Sequence, residues 1–206
     1  MVVAFVSALA GLAAGLLLAP LTAPFVGDVP PRRAPVALVT AVAFGLLGWR
    51  VGLEPVLPAL LYLAAVGALL GVVDVKVRRL PDRFTLPSYG VAAALLAAAA
   101  PFTENGLRHF LHALLGMAAL FALYLLQAFI TPSGIGLGDV KLSGVLGLCL
   151  GWFGLDTWVF GLLATYLIGG AMGIGILIVR RDRKGEFAFG PAMLAGTLLA
   201  VLVLSS

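Results

Sequence analysis

The chain is short of charge, cysteine and histidine, and each shortage excludes a class of protein. Asp, Glu, Lys and Arg make up 11% of its 206 residues, against roughly a quarter in soluble domains. With 62% hydrophobic residues and a mean hydropathy of +1.15, a water-soluble bundle is excluded. The lone cysteine, Cys149, lies in an apolar segment. It rules out an intramolecular disulfide framework and a four-cysteine zinc loop, and reads as a small buried packing residue. Long polar stretches are also missing. The gaps around 20–33, 75–88, 101–109, 131–141 and 180–188 are too short to bury a core of their own, so no separate soluble domain fits. The opening run MVVAFVSALAGLAAGLLLA lacks the basic n-region of a signal peptide and exceeds a typical h-region, so a retained first span is expected.

What the chain does have is one apolar run after another. Breaks at Pro, Gly and charge clusters give about eight spans: 2–19, 34–49, 55–74, 84–100, 107–130, 140–152, 157–179 and 189–204. The fold class is therefore all-α, a polytopic transmembrane helical bundle and a single integral membrane domain. The sixth span is short and is expected to be tilted, thinned or partly enclosed by its neighbours. Eleven of the thirteen Lys and Arg fall in alternate gaps: Arg32 and Arg33, Lys76 to Arg83, Lys141, and Arg180 to Lys184. Only Arg50 and Arg108 lie in the others. The excess of Lys and Arg places that side in the cytoplasm and both termini outside. The net charge of +4 thus reads as a topology signal with an attraction for anionic lipid headgroups, and not as a nucleic-acid surface. Gly169, Gly170, Gly173 and Gly175 in the seventh span read as helix-packing positions.

Two of the nine acids stand out. Asp28, Glu54, Glu104, Asp156, Asp182 and Glu186 read as loop or cap residues that water can solvate. Asp74 closes the third span behind ALLGVV, and Asp139 opens the sixth behind GIGLG. Carboxylates placed so are costly and mark function by default. Both emerge at one membrane face, where helix packing can bring them together. Two such acids titrate as a pair, which suits peptide hydrolysis: the ionised one draws a proton from water while the protonated one polarises the scissile carbonyl. No metal or other cofactor is needed. The sequence offers a poor metal site, with His109 and His112 on the opposite side. The Gly-x-Gly approach to Asp139 allows positive φ and close passage of a substrate backbone. The structural alternatives are an N-cap role for Asp139 and an ion pair of Asp74 with Lys76, Arg78 or Arg79.

At these stretches the sequence resembles the type IV prepilin peptidases, membrane aspartic proteases of the GxGD group. DVKVRRLPDRFTLP (74–87) is similar to their first motif, and GLGDVKL (136–142) to their Gly-x-Gly-Asp-x-Lys-Leu. FAFGPAMLAG (187–196) resembles the Phe-Gly-Pro segment that opens their last helix. The resemblance covers roughly 55–204. It implies catalytic roles for Asp74 and Asp139, with Gly136, Gly138, Lys141, Pro81 and Asp82 in support. Asp82, in a loop after Pro81, is expected to cap the fourth span. The implied organisation is two N-terminal spans in 1–54 and a peptidase core in 55–206. The implied substrates are prepilins or pseudopilins, whose basic leader is removed at the boundary with a hydrophobic helix on the cytoplasmic side. The loop LTAPFVGDVPPRRAP between the first two spans has no cysteine, whereas bifunctional members carry a cysteine-rich domain there. That departure argues against methyl transfer. The Gly-rich approach to Asp139 and a long 75–85 loop are the expected moving parts.

Two rivals come from other classes. A small ion- or proton-coupled transporter would use the same acids for ion binding, although no midplane acid or inverted repeat accompanies them. A catalytically silent assembly component would retain the fold without needing either acid.

Overall fold

The computed structural model describes residues 1–26, 33–131, 135–180 and 188–205, with the side chains of Val26, Leu177, Val179 and Arg180 excepted. Asp28, Arg32, Gly134 and the charged 181–187 segment lie outside the described residues. The described residues form helices joined by short links: α1 (Val2–Leu18), α2 (Ala23–Val26), α3 (Arg33–Arg50), α4 (Leu57–Val77), α5 (Asp82–Ala99), α6 (Gly106–Ile130), α7 (Leu137–Trp152), α8 (Leu155–Arg180) and α9 (Gly190–Leu204). Short 3-10 turns follow α1 and α5. Among the described residues five stretches are long and apolar enough to cross a membrane: Val2–Phe25, Leu57–Val77, Asp82–Phe102, Gly106–Ile130 and Leu155–Ile176. The chain is an all-α polytopic membrane bundle.

Local chemistry sets the helix ends. Pro58 and Pro191 sit in the first turns of α4 and α9, where a missing N–H costs nothing. Gly154, at φ +98°, turns the chain between α7 and α8. Arg78 ends α4 in the left-handed conformation, φ 52° and ψ 39°, its N–H donating to Asp74 O at 2.8 Å. Helix α4 therefore runs to Val77 and α5 starts at Asp82. The long 75–85 loop expected from the sequence is only the link 78–81, because the apolar residues Val75 and Val77 let the helix continue past Asp74.

Sequential helices pair as hairpins: α1 with α3, α6 with α7, and α8 with α9. Since lipid is as apolar as Leu, such pairs depend on close backbone approach. A Cβ on Gly147 of α7 would stand 2.5 Å from Gly116 O of α6, so the two helices touch through their backbones. Of the glycines read as packing positions in α8, Gly169 meets Phe189, while Gly170 and Gly175 face open space.

Helix α7 is buried from Leu142 to Trp152 and packs against α5, α6, α8 and α9. Its 16 residues span only ~24 Å at 1.5 Å each, less than the ~30 Å hydrocarbon core. Neighbouring helices shield it, so the shortfall exposes no backbone to lipid. Cys149 is buried here, at the end of the bundle where His109 Nδ1 lies 2.7 Å from Trp152 O.

Candidate active site

Two segments meet at the other end of α7. Asp74 lies in the last turn of α4 and is 5% exposed. The backbone N–H of Gly190, at the start of α9, donates to its Oδ2 at 3.0 Å. A Cβ at position 190 would come within 2.7 Å of that oxygen, so only glycine permits the contact. Among the described residues Asp74 forms no ion pair with Lys76, Arg78 or Arg79. Its buried carboxylate is held by the first backbone N–H of α9 instead.

Asp139 sits in the first turn of α7, half-buried. It is not the N-cap, as the sequence had offered as an alternative; Gly136 is. From the third helical position the Asp139 carboxylate reaches back, and Gly136 N–H donates to its Oδ2 at 3.3 Å. The Asp139 N–H donates to Gly136 O at 3.0 Å. This is the return half of a capping box, with a backbone carbonyl in place of the missing side chain. Burial first, and then the nearby charge of Asp74, push the Asp139 carboxyl up to about 6.

Neither Gly136 nor Gly138 needs positive φ, and of the two only Gly138 is tight for size, since a Cβ on Gly136 would meet nothing closer than Asp139 Oδ2 at 3.5 Å. Gly136 has φ −73°, and the positive-φ glycines among the described residues are Gly52 and Gly154. A Cβ on Gly138 would stand 3.0 Å from Leu80 Cβ. Buried Leu80, from the link 78–81, thus packs against the turn that carries Asp139 and joins the two motifs.

Asp82 is the first residue of α5, with Pro81 as N-cap. The expected capping hydrogen bond from its side chain is not formed. Instead Lys141 Nζ donates to both Asp82 oxygens at 2.8 Å, with the two side chains 55% (Asp82) and 35% (Lys141) exposed. Position 82 faces α7, and the long lysine reaches it more readily than the carboxylate can fold back over its own helix. Tyr89 reinforces the junction, its hydroxyl donating to Lys141 O at 2.6 Å.

A cavity of about 670 Å³ opens between these segments, lined by Asp74, Asp82, Asp139, Pro81, Gly136 and Gly138 among others. Arg78 and Arg79 add positive charge to its wall, and Pro24 and Phe25 of α2 close one side. The Phe25 ring meets Phe84 edge-on at 5.7 Å. All the predicted positions except Lys141 border this space, and Lys141 joins it through Asp82. Contributors not assigned roles from the sequence include Gly190, Leu80 and Phe25. The Phe-Gly-Pro motif was a signal for Gly190, and Leu80 adjoins a motif proline. Phe25 carried no signal, being one aromatic residue in a Pro-rich turn.

A model of the type IV leader peptidase family matches residues 60–178. Among curated proteins, the chain is 34% identical over 170 residues to a prepilin leader peptidase/N-methyltransferase of Bacillus subtilis, covering 80% of this chain and 63% of the relative. It is 32% identical over 162 residues to the protein of that name from Neisseria gonorrhoeae, covering 77% and 53%. For the one from Aeromonas salmonicida the figures are 32% over 148 residues, 70% and 48%. The aligned region thus spans about half to just under two thirds of the length of these relatives. No solved structure gives a significant match.

Proposed function

The chain belongs to the type IV leader peptidase family, and from that premise we propose that it is a membrane aspartic endopeptidase. It cleaves the basic leader from prepilin-type substrates at the cytoplasmic face of the inner membrane. Asp74 and Asp139 are its acid–base pair, and residues 55–206 are the peptidase core.

The observation that carries this proposal is how the two carboxylates are held. They come from different helices and border one cavity, each with Oδ2 bound by a backbone N–H. Among the described residues neither Oδ1 has a hydrogen-bond partner, which leaves one oxygen of each acid for a water or a substrate. In the productive state one acid is ionised and the other protonated. The ionised one takes a proton from water as its oxygen attacks the scissile carbonyl, and the other gives its proton to the carbonyl oxygen. On collapse the first returns its proton to the leaving nitrogen, and the second recovers one from the gem-diol. The pair ends as it began, so no external proton is consumed. Lys141 and Asp82 hold the α5–α7 junction and touch no reacting atom.

The full topology is part of the proposal: eight spans, with both termini outside. The sixth, about 140–152, begins one residue after Asp139. Methyl transfer, named for the relatives, is not included, because the loop between the first two spans has no cysteine and no room for a domain.

The test is cleavage of a prepilin by the chain in liposomes, with Asp74→Asn, Asp139→Asn and Asp82→Asn alongside wild type. The first two are expected to lose at least ~10³-fold, within the range for a general acid or base, while staying folded and inserted. Asp82→Asn keeps most activity. Cleavage undiminished in Asp74→Asn or Asp139→Asn would overturn the proposal.

A further inference from the structure

A second cavity, of about 520 Å³, lies on the far side of α4, between α3, α4 and α9. Its wall is almost wholly apolar. Pro35, Val39 and Ala43 line it from α3, and Pro191, Leu194 and Ala195 from α9. Along α4 it extends from Ala64 to Lys76, ~18 Å at 1.5 Å per residue, or over half of a ~30 Å hydrocarbon core. Val39 and Ala195 are exposed within it, so the groove is open to the side and not sealed in the bundle.

The groove adjoins the aspartate cavity at three chain positions. Val75 and Lys76 line the groove, and Asp74 and Val77 line the aspartate cavity. Pro191 lines the groove, while its neighbour Gly190 holds Asp74. Thr22 lines the groove, and Pro24 and Phe25 the cavity. The two spaces therefore end at the same level of the bundle, separated by single residues of α2, α4 and α9.

Resting on the protease assignment above, we propose that this groove is the docking site for the apolar helix of the substrate, the segment directly following the scissile bond. A chain reaching Asp74 past Lys76 or Pro191 leaves an apolar environment as deep as several helical turns. The part of it left in the groove must be membrane-embedded and must satisfy its own backbone hydrogen bonds, which means a helix. Ala68, Gly71 and Ala195 are small residues of the groove wall that let that helix come close, as packing in lipid requires. The cut peptide is then extended only across the few residues between groove and acids. The groove thus selects membrane-anchored substrates and sets how far from the anchor the cut falls.

The experiment uses the full chain in liposomes and two probes: a prepilin with its apolar helix, and a peptide ending just past the cleavage boundary. Ala195→Phe and Val39→Trp fill the groove from exposed positions remote from the acids. Both are expected to raise KM for the anchored prepilin about tenfold, roughly one helix-packing contact in lipid. The turnover number stays unchanged, as does kcat/KM on the short peptide. A photo-crosslinking residue at Val39 in an Asp74→Asn background is expected to capture the prepilin helix, and one at lipid-facing Leu167 is not. Equal losses on both probes, no loss on either, or capture of lipid alone would overturn the docking site while leaving the protease assignment intact. Cleavage of neither probe by wild type would overturn both.

Discussion

At Gly190 an added Cβ would stand 2.7 Å from Asp74 Oδ2, so Gly190→Ala must displace the carboxylate or tilt the start of α9. A misplacement of this kind costs ~10²-fold in rate. That loss is the expected outcome for Gly190→Ala, read as kcat on prepilin with helicity unchanged by circular dichroism. At Asp139, burial and the Asp74 charge raise the carboxyl to about 6. The pair therefore gives up its last proton near that pH in the free enzyme. Since kcat/KM reports the free enzyme, it should fall as pH rises through about 6. In Asp74→Asn the neighbouring charge is gone, so the Asp139 midpoint, followed by carbon NMR of labelled aspartate, should move to lower pH. Burial remains, so it should still lie above the ordinary carboxylate value.

Between elements, the Asp82–Lys141 pair ties the start of α5 to α7 two residues from Asp139. Both side chains are substantially exposed, and such pairs contribute only ~0.2–1 kcal/mol to stability. The expected effect of Lys141→Met is accordingly small in thermal unfolding. It should be larger in kcat, because the α7 turn loses its tether to the link carrying Leu80 and Pro81. Exchanging the charges, with Asp82→Lys and Lys141→Asp together, should recover part of the rate. Equal losses in the single and double variants would assign the pair no positioning role. The α6–α7 contact behaves differently, because backbone meets backbone there. Gly147→Val should lower stability by ~1–3 kcal/mol, the usual cost of overpacking, measured by unfolding in detergent.

For the whole molecule, the distribution of Lys and Arg predicts which ends of the bundle face which solution. With Cys149 replaced by Ala, single cysteines at Arg79 and Leu107 should react with an impermeant maleimide from opposite sides of oriented vesicles. Arg79 should be labelled from the cytoplasmic side. Labelling of both from one side would mean that α5 does not cross the membrane, and labelling of Arg79 from the outside with Leu107 from the inside would reverse the whole topology. The aspartate cavity lies at the Arg79 end and the His109–Trp152 contact at the other, so the same measurement locates the chemistry.

By itself the sequence determined the solvent, the helices and the motifs. Hydropathy and the Pro and Gly breaks put the helix boundaries within a few residues, because lipid leaves the backbone no alternative to a helix. Asp74 and Asp139 were legible because a carboxylate at the edge of an apolar run is costly and conspicuous. Only the tertiary structure decided what holds them. The N–H of Gly190 belongs to a helix more than a hundred residues from Asp74, and Asp82 turned from an expected cap into the partner of Lys141. Neither Gly136 nor Gly138 proved to need positive φ, and small volume matters at Gly138 alone of the two; the apolar groove beside Asp74 needs three helices to exist at all. Composition and periodicity describe what each segment does in its solvent. Which backbone N–H meets which carboxylate depends on how helices far apart in sequence pack, and no local pattern encodes that.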